Sequence, residues 1–138
     1  MTSRTLLGFD YGTKHIGIAV GQEITHTAMA LETVSLRHNK PDWEAISRIV
    51  AEWQPEAFVI GLPLSQDGGE TAVSRAARRF GQQLHGRFHL PVHTMDEHLS
   101  SHAATQLAGK TSGRGAIDKF AAQVILQTWL NHPTPGAL

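Results

Sequence analysis

The chain has 138 residues, and its twelve Lys and Arg are balanced by twelve Asp and Glu, so with histidine neutral no overall basic field draws it to a polyanion. It contains no cysteine, which removes disulfide frameworks, thiolate zinc sites and thiol nucleophiles together. The length is that of one domain able to bury a core without covalent staples, and nine histidines make its charge sensitive to mild acid.

Residues 6–10 are an apolar run ending in Asp10, and residues 15–21 form a second β-type run after the Gly12 turn, so the two read as a hairpin. Residues 27–34 read as a third strand, with alternation at Met29, Leu31 and Thr33, completing an antiparallel meander. Pro41-Asp42 then opens a helix, with Asp42 as N-cap and Trp43, Ile46, Ile49, Val50 and Trp53 at helical spacing, closed by Pro55. Residues 57–60 are a continuous apolar run stopped by Gly61-Leu62-Pro63-Leu64, as expected of a buried parallel strand entering a loop over 65–70.

The next helix places Val73, Ala76, Ala77, Phe80 and Leu84 on one face and Arg75, Arg78 and Arg79 on others, and residues 89–95 give a fifth strand. Ser100 or Ser101 is placed to cap a short helix through Leu107. Residues 109–115, with Lys110 and Arg114, read as a basic loop, and the last helix is predicted from about 117 to 130. No repeat, low-complexity tract or internal boundary appears, so residues 1–138 are expected to form one α/β domain whose last strands are parallel and joined by helices. Without a leader pattern or an apolar run near the ~18 residues of a membrane span, a cytoplasmic protein with no membrane association is expected.

In such sheets, sites form beyond the carboxyl ends of adjacent strands. Asp10 ends the first strand, Gly61 the fourth and Asp96-Glu97 the fifth, so these positions gather at one edge. Asp118 begins the last helix, whose face Ala121, Ala122, Ile125 and Trp129 is small then apolar and suits close packing on a sheet. Each acid also has an ordinary reading: Asp10 as an acceptor in an Asx-turn, Asp118 as a carboxylate meeting a helix dipole. Carboxylates gathered without Lys or Arg repel, and oxygen-only clusters suit Mg²⁺ or Mn²⁺. Two such ions about 3.5 to 4 Å apart activate water and stabilise the leaving oxygen in phosphodiester hydrolysis. A Gly-x-Ser-x-Gly elbow and a P-loop are both missing from the sequence, which argues against a serine hydrolase and a P-loop nucleotide enzyme.

Four collinear blocks, Phe9-Asp10-Tyr11-Gly12-Thr13-Lys14-His15-Ile16-Gly17, Ile60-Gly61-Leu62-Pro63-Leu64, Asp96-Glu97-His98-Leu99-Ser100 and Ile117-Asp118-Lys119-Phe120-Ala121-Ala122, resemble the YqgF/RuvX family. That resemblance implies a ribonuclease H-like fold, with a five-stranded mixed sheet of order 3-2-1-4-5 flanked by helices. It further implies a nuclease that matures the 5′ end of pre-16S ribosomal RNA, with Holliday junction resolution as the alternative activity. Carried over by position, Asp10, Glu97 and Asp118 form an acidic triad holding Mg²⁺ or Mn²⁺, and Asp96 is an outer ligand.

Lys14, His15, His98, Lys110 and Arg114 become contacts to structured RNA or branched DNA. His15 and His98 stand where the family usually has Arg, so phosphate contact there weakens above the ordinary imidazole pKa of about 6.5. Arg75, Arg78, Arg79 and Arg87 are expected to form a solvated face, and Trp43 and Trp53 to belong to the core. The competing readings are a weakly catalytic RNA-binding ribosome-assembly module and a small phosphotransferase. The second rests on Asp10-Tyr11-Gly12-Thr13, which resembles the first phosphate loop of the actin and sugar-kinase fold, a fold that needs two domains. The expected assembly is a monomer or weak homodimer.

Overall fold

The computed structural model describes residues 4–12, 14–38, 40–62, 69–96 and 114–131, with Asp96 and residues 114–118 described by backbone alone. In chain order the elements are β1 (Thr5–Tyr11), β2 (His15–Gln22), β3 (Thr27–Arg37), β4 (Lys40–Pro41), α1 (Trp43–Trp53), β5 (Ala57–Leu62), α2 (Ala72–Phe88), β6 (Val92–Asp96) and α3 (Arg114–Asn131). They build one mixed sheet of order β4-β3-β2-β1-β5-β6. β1 to β4 form an antiparallel meander, while β5 and β6 add in parallel beside β1.

The sheet has six strands, not the five expected. The additional one is a two-residue edge strand in which Leu36 pairs with Pro41 and Arg37 with Lys40. So short a ladder carries no alternation that a sequence pattern can register, and its Pro suits only an edge. A second correction concerns the last helix. It begins at Arg114, inside the segment read as a basic loop, so Asp118 lies in its second turn and not its first.

Strand alternation divides the core in two. Leu7, Phe9, Ile16, Ile18, Phe58 and Ile60 face α1 and α2, where Phe80 meets Phe9 edge-on at 5.4 Å and Trp43 stacks on Phe80 at 5.5 Å. Trp43 and Trp53 pack against this core as expected, and the Arg87 guanidinium covers the Trp43 ring at 4.2 Å. The opposite face carries Leu6, Ala19, Ala57 and Val59 under Ala122, Ile125, Leu126, Trp129 and Leu130 of α3. Gln127 of α3 ties the helix to β3 by accepting from the Ala28 N–H at 2.9 Å and donating to the His26 carbonyl; Gln123 donates to the Ala28 carbonyl at 3.2 Å.

The caps explain the helix limits. Asp42 Oδ1 accepts from the Ala45 N–H at 3.1 Å, and Gln54, left-handed at φ 48°, ends α1 one residue before Pro55. At the start of α2, Thr71 Oγ1 accepts from the Ser74 N–H and Ser74 Oγ from the Thr71 N–H, a reciprocal capping box. Ser74 also donates to Glu70, which with Arg78 holds the Glu70 carboxyl below its ordinary pKa.

On β6, His93 stacks on Trp129 at 5.0 Å, and its Nδ1 is buried with no hydrogen-bond partner among the described residues. Burial pushes the imidazole below its ordinary value of 6.5; the nearby Arg4 adds to the depression and Glu23 opposes it. The unfolded chain therefore binds this proton more readily, so the stability contributed by neutral His93 is present above pH 6.5 and is lost as pH falls from there toward the folded-state value. Acidification from about pH 7.5 to about pH 5.5 is expected to lower the melting temperature of the wild type more than that of His93→Phe, which keeps the ring on Trp129 without the titration. Equal losses in a pair of thermal scans would show that His93 is not an acid-sensitive element of the fold.

Candidate active site

Asp10 occupies the penultimate position of β1, half-buried, between two residues without side chains. Gly17 is its partner on β2 and Gly61 its partner on β5. Its alternation with Leu6 and Gly8 puts it on the face covered by α3. Neither neighbouring strand projects a Cβ beside the carboxylate, so room is left around it at the carboxyl end of the central strand.

The approach of α3 to this lane can be followed residue by residue. A Cβ on Gly8 would lie 2.8 Å from Leu126 Cβ and 3.2 Å from the Ala122 carbonyl oxygen, and one on Gly21 would lie 2.9 Å from Leu126 Cδ2 and 3.0 Å from Leu130 Cδ1. Gly21 pairs with Leu6. Moving from Leu6 to Gly8 along β1 therefore means moving one helical turn back along α3, and the two run antiparallel. Two strand residues advance about 6.7 Å and four helical residues about 6 Å, so the steps match. One further step brings the backbone of Asp10 level with the turn between Asp118 and Ala122.

β6 brings its end to the same edge: Gly61 pairs with Met95 and Leu62 with Asp96, so Asp96 closes β6 one residue beyond the level of Asp10. Glu97, His98 and Lys110 lie outside the described residues, as do the predicted helix over 100–107 and most of the loop over 65–70. Arg114 is the first residue of α3. Among the described residues no group of three or more His, Asp or Glu is placed to hold a metal ion.

Lys14 and His15 sit in and after the β1–β2 turn. The Gly12 N–H donates to the His15 carbonyl at 2.9 Å, and a Cβ at residue 12 would lie 2.8 Å from that oxygen, so glycine is needed for the chain to close here. The exposed Lys14 is held at the turn by its carbonyl, which accepts from the Leu36 N–H at 2.9 Å. His15 pairs with Ser35.

Two features of this edge are not evident from the sequence pattern. One is a cavity of about 340 Å³ lined by Tyr11, Gly12, Val73, Arg79, Phe80 and Gln83, in which burial raises the Tyr11 pKa against the opposing pull of Arg79. The other is the hairpin that carries the cations Arg37 and Lys40 as cross-strand partners. A signal for it is present in the sequence, since His38-Asn39 between two basic residues and ahead of Pro41 suits a two-residue turn.

Residues 4–132 match the family model described as "RuvX: Holliday junction resolvase". A Saccharophagus degradans protein named "Putative pre-16S rRNA nuclease" is 44% identical, across 98% of this chain and 100% of the relative. An Azotobacter vinelandii protein of the same name is 48% identical, across 96% and 97%. Among solved structures, Thermus thermophilus RuvC in complex with a Holliday junction substrate is similar with a TM-score of 0.59 at 16% identity, covering 98% of this chain and 99% of that one. At that identity the likeness speaks for the fold, a ribonuclease H-like one.

Proposed function

The chain belongs to the RuvX family, and from that premise we propose that it is a metal-dependent nuclease hydrolysing phosphodiester bonds in structured nucleic acid, with the 5′ end of pre-16S ribosomal RNA as substrate. The observation that carries this reading is Asp10 in its glycine lane, with α3 descending antiparallel so that the turn of Asp118 reaches the same level. Asp10, Glu97 and Asp118 are the proposed catalytic carboxylates, with Asp96 as an outer ligand. Such a donor set is oxygen-only and anionic, which fits Mg²⁺ or Mn²⁺ and not a softer metal. Bound, these ions supply a water of lowered pKa and neutralise charge on the leaving oxygen.

The chain's own residues supply position. Gly17 and Gly61 leave space for a phosphate to approach Asp10 from above the sheet. Lys14, in the adjoining turn, offers a point charge to a phosphate, with His15, His98, Lys110 and Arg114 as further proposed contacts. The fixed close packing of α3 on β1 prevents the two elements from drifting apart and sets the spacing of their acids. No helix of the described residues is long and apolar enough to cross a membrane, and we place the activity in the cytoplasm, where ribosomal RNA is matured.

Purified protein incubated with a precursor 16S 5′-end RNA and with a four-way DNA junction, each in Mg²⁺, Mn²⁺ or EDTA, tests the proposal. Cutting of the RNA in either metal and none in EDTA is the expected result. Cutting of the junction alone would replace the RNA reading by junction resolution, the activity in the family description. Binding of both without cutting would leave only an RNA-binding assembly module.

A further inference from the structure

Beyond Asp10, the same face of the sheet continues into a cationic strip. Gly17 pairs with Thr33 and His15 with Ser35, so by alternation His15, Ser35 and Arg37 stand on the face that carries Asp10, and Lys40 joins them as the register partner of Arg37. Val34 and Leu36 confirm the alternation from the other side, where both pack into the α1 and α2 core. Ser35, Arg37, His38 and Lys40 are all exposed, and with Pro41 and Asp42 they line a groove of about 540 Å³.

This hairpin pairs like with like. Arg37 and Lys40 are direct cross-strand partners, an arrangement that destabilises a ladder unless a counter-charge is present. Among the described residues none is supplied, for neither cation forms an ion pair there. Asp42, the one acid lining the groove, is engaged as the cap of α1. His38 at the tip is held in the left-handed region at φ 51°, which makes the turn tight and projects both flanking cations to the same side. In a chain of zero net charge, two cations without counter-ions among the described residues, Arg37 and Lys40, on the face of the candidate carboxylate, mark a local anion-binding surface.

We propose that the β3–β4 hairpin, through Arg37 and Lys40, grips the phosphodiester backbone of the substrate away from the cleaved bond. The inference rests on the proposed action on nucleic acid, though not on cleavage itself. Thr33 lies two strand spacings from Asp10, about 10 Å, and Arg37 four residues further along, about 13 Å, giving roughly 16 Å between the two positions. At a rise of about 3.4 Å per base pair, that reaches a phosphate about five base pairs from the scissile one. The contact is to backbone, not to bases, so it serves RNA and DNA duplex arms alike and fixes the direction in which an arm leaves the site.

The test is Arg37→Ala/Lys40→Ala against wild type, in EDTA so that nothing is cut, with fluorescently labelled RNA duplex and four-way DNA junction titrated across a KCl series. The expected result is affinity reduced by roughly tenfold and a salt slope shallower by about two, one for each phosphate that the variant no longer neutralises. Arg37→Lys/Lys40→Arg keeps both charges and is expected to retain the wild-type slope. Both sites are exposed hairpin positions, and unchanged thermal melting confirms that the fold is intact. Equal slopes for wild type and the alanine variant overturn the proposal even if metal-dependent cleavage is observed, and so does failure of the wild type to bind either probe. Hairpin-dependent binding with no cutting in Mg²⁺ upholds the surface and removes the nuclease reading, so the two fail separately. A slope change confined to one probe assigns the surface to that nucleic acid.

Discussion

Asp10→Asn is expected to reduce metal-dependent RNA cleavage by more than about a hundredfold while leaving the melting temperature within a few degrees of wild type. Loss of a group that merely supports a metal ligand typically costs about 10- to 100-fold, and a ligand itself costs more. Asn preserves the shape of the side chain, which is half-buried between Gly17 and Gly61. Little packing is therefore altered, and what changes is the negative charge. Asp118→Asn is expected to behave alike, and the double variant to lose little beyond either single one, because groups that act as a unit are not additive. Single-turnover cleavage with parallel thermal scans decides the matter. A variant at either position that cuts at the wild-type rate would remove that residue from the site.

The largest effect on stability is expected from Gly8→Val. The Cβ that any residue but glycine carries here would come within 2.8 Å of Leu126 Cβ and 3.2 Å of the Ala122 backbone oxygen. The second contact is the decisive one, since a helix carbonyl has no rotamer with which to move aside. Either α3 lifts from the sheet or β1 bends. Overpacking of this kind costs about 3 kcal/mol, a large fraction of the stability of an ordinary domain. Gly86→Ala is the matched control: nothing lies within 4 Å of a Cβ there, and in the last turn of α2 alanine is expected to gain up to about 0.5 kcal/mol. Urea unfolding of the two variants separates the cases. Because α3 carries Asp118, Gly8→Val is also expected to lose cleavage beyond what its unfolded fraction explains, whereas a variant as stable as wild type would show that the helix does not need this close approach.

Where sequence and structure agree, the residues involved carry strong local chemistry. Asp42 ahead of an amphipathic run and Pro55 behind it define α1 almost to the residue, because a side-chain cap and a missing N–H are local facts. The apolar run ending in Gly61 reads as a buried parallel strand for the same reason, and its pairing with β1 puts Gly61 beside Asp10, at the edge where strand ends are expected to gather. Agreement ends where the deciding contact is distant. The sequence pattern starts α3 three residues late because Gly113 and Gly115 have the composition of a loop, and glycine is a poor marker of a helix start. Likewise β4 exists because β3 passes beside it, not because Lys40-Pro41 has any strand preference. Of the candidate site, the positions of Asp10 and Asp96 at their strand ends follow from pattern, Asp118 lies a turn deeper in its helix than the pattern has it, and the level match of Asp10 with α3 follows only from glycine contacts that no periodicity reveals.

The hydrogen bonds from Gln123 and Gln127 to the chain around Ala28 span 95 to 101 residues, and α3 follows β1 to β6 in chain order. During synthesis the sheet must therefore wait with Leu6, Ala19, Ala57 and Val59 uncovered until α3 has left the ribosome. Asp118 arrives with that same helix. Completion of this face of the fold and arrival of Asp118 are thus one event, and a nascent chain with its meander already paired lacks one carboxylate of the proposed site until α3 has emerged.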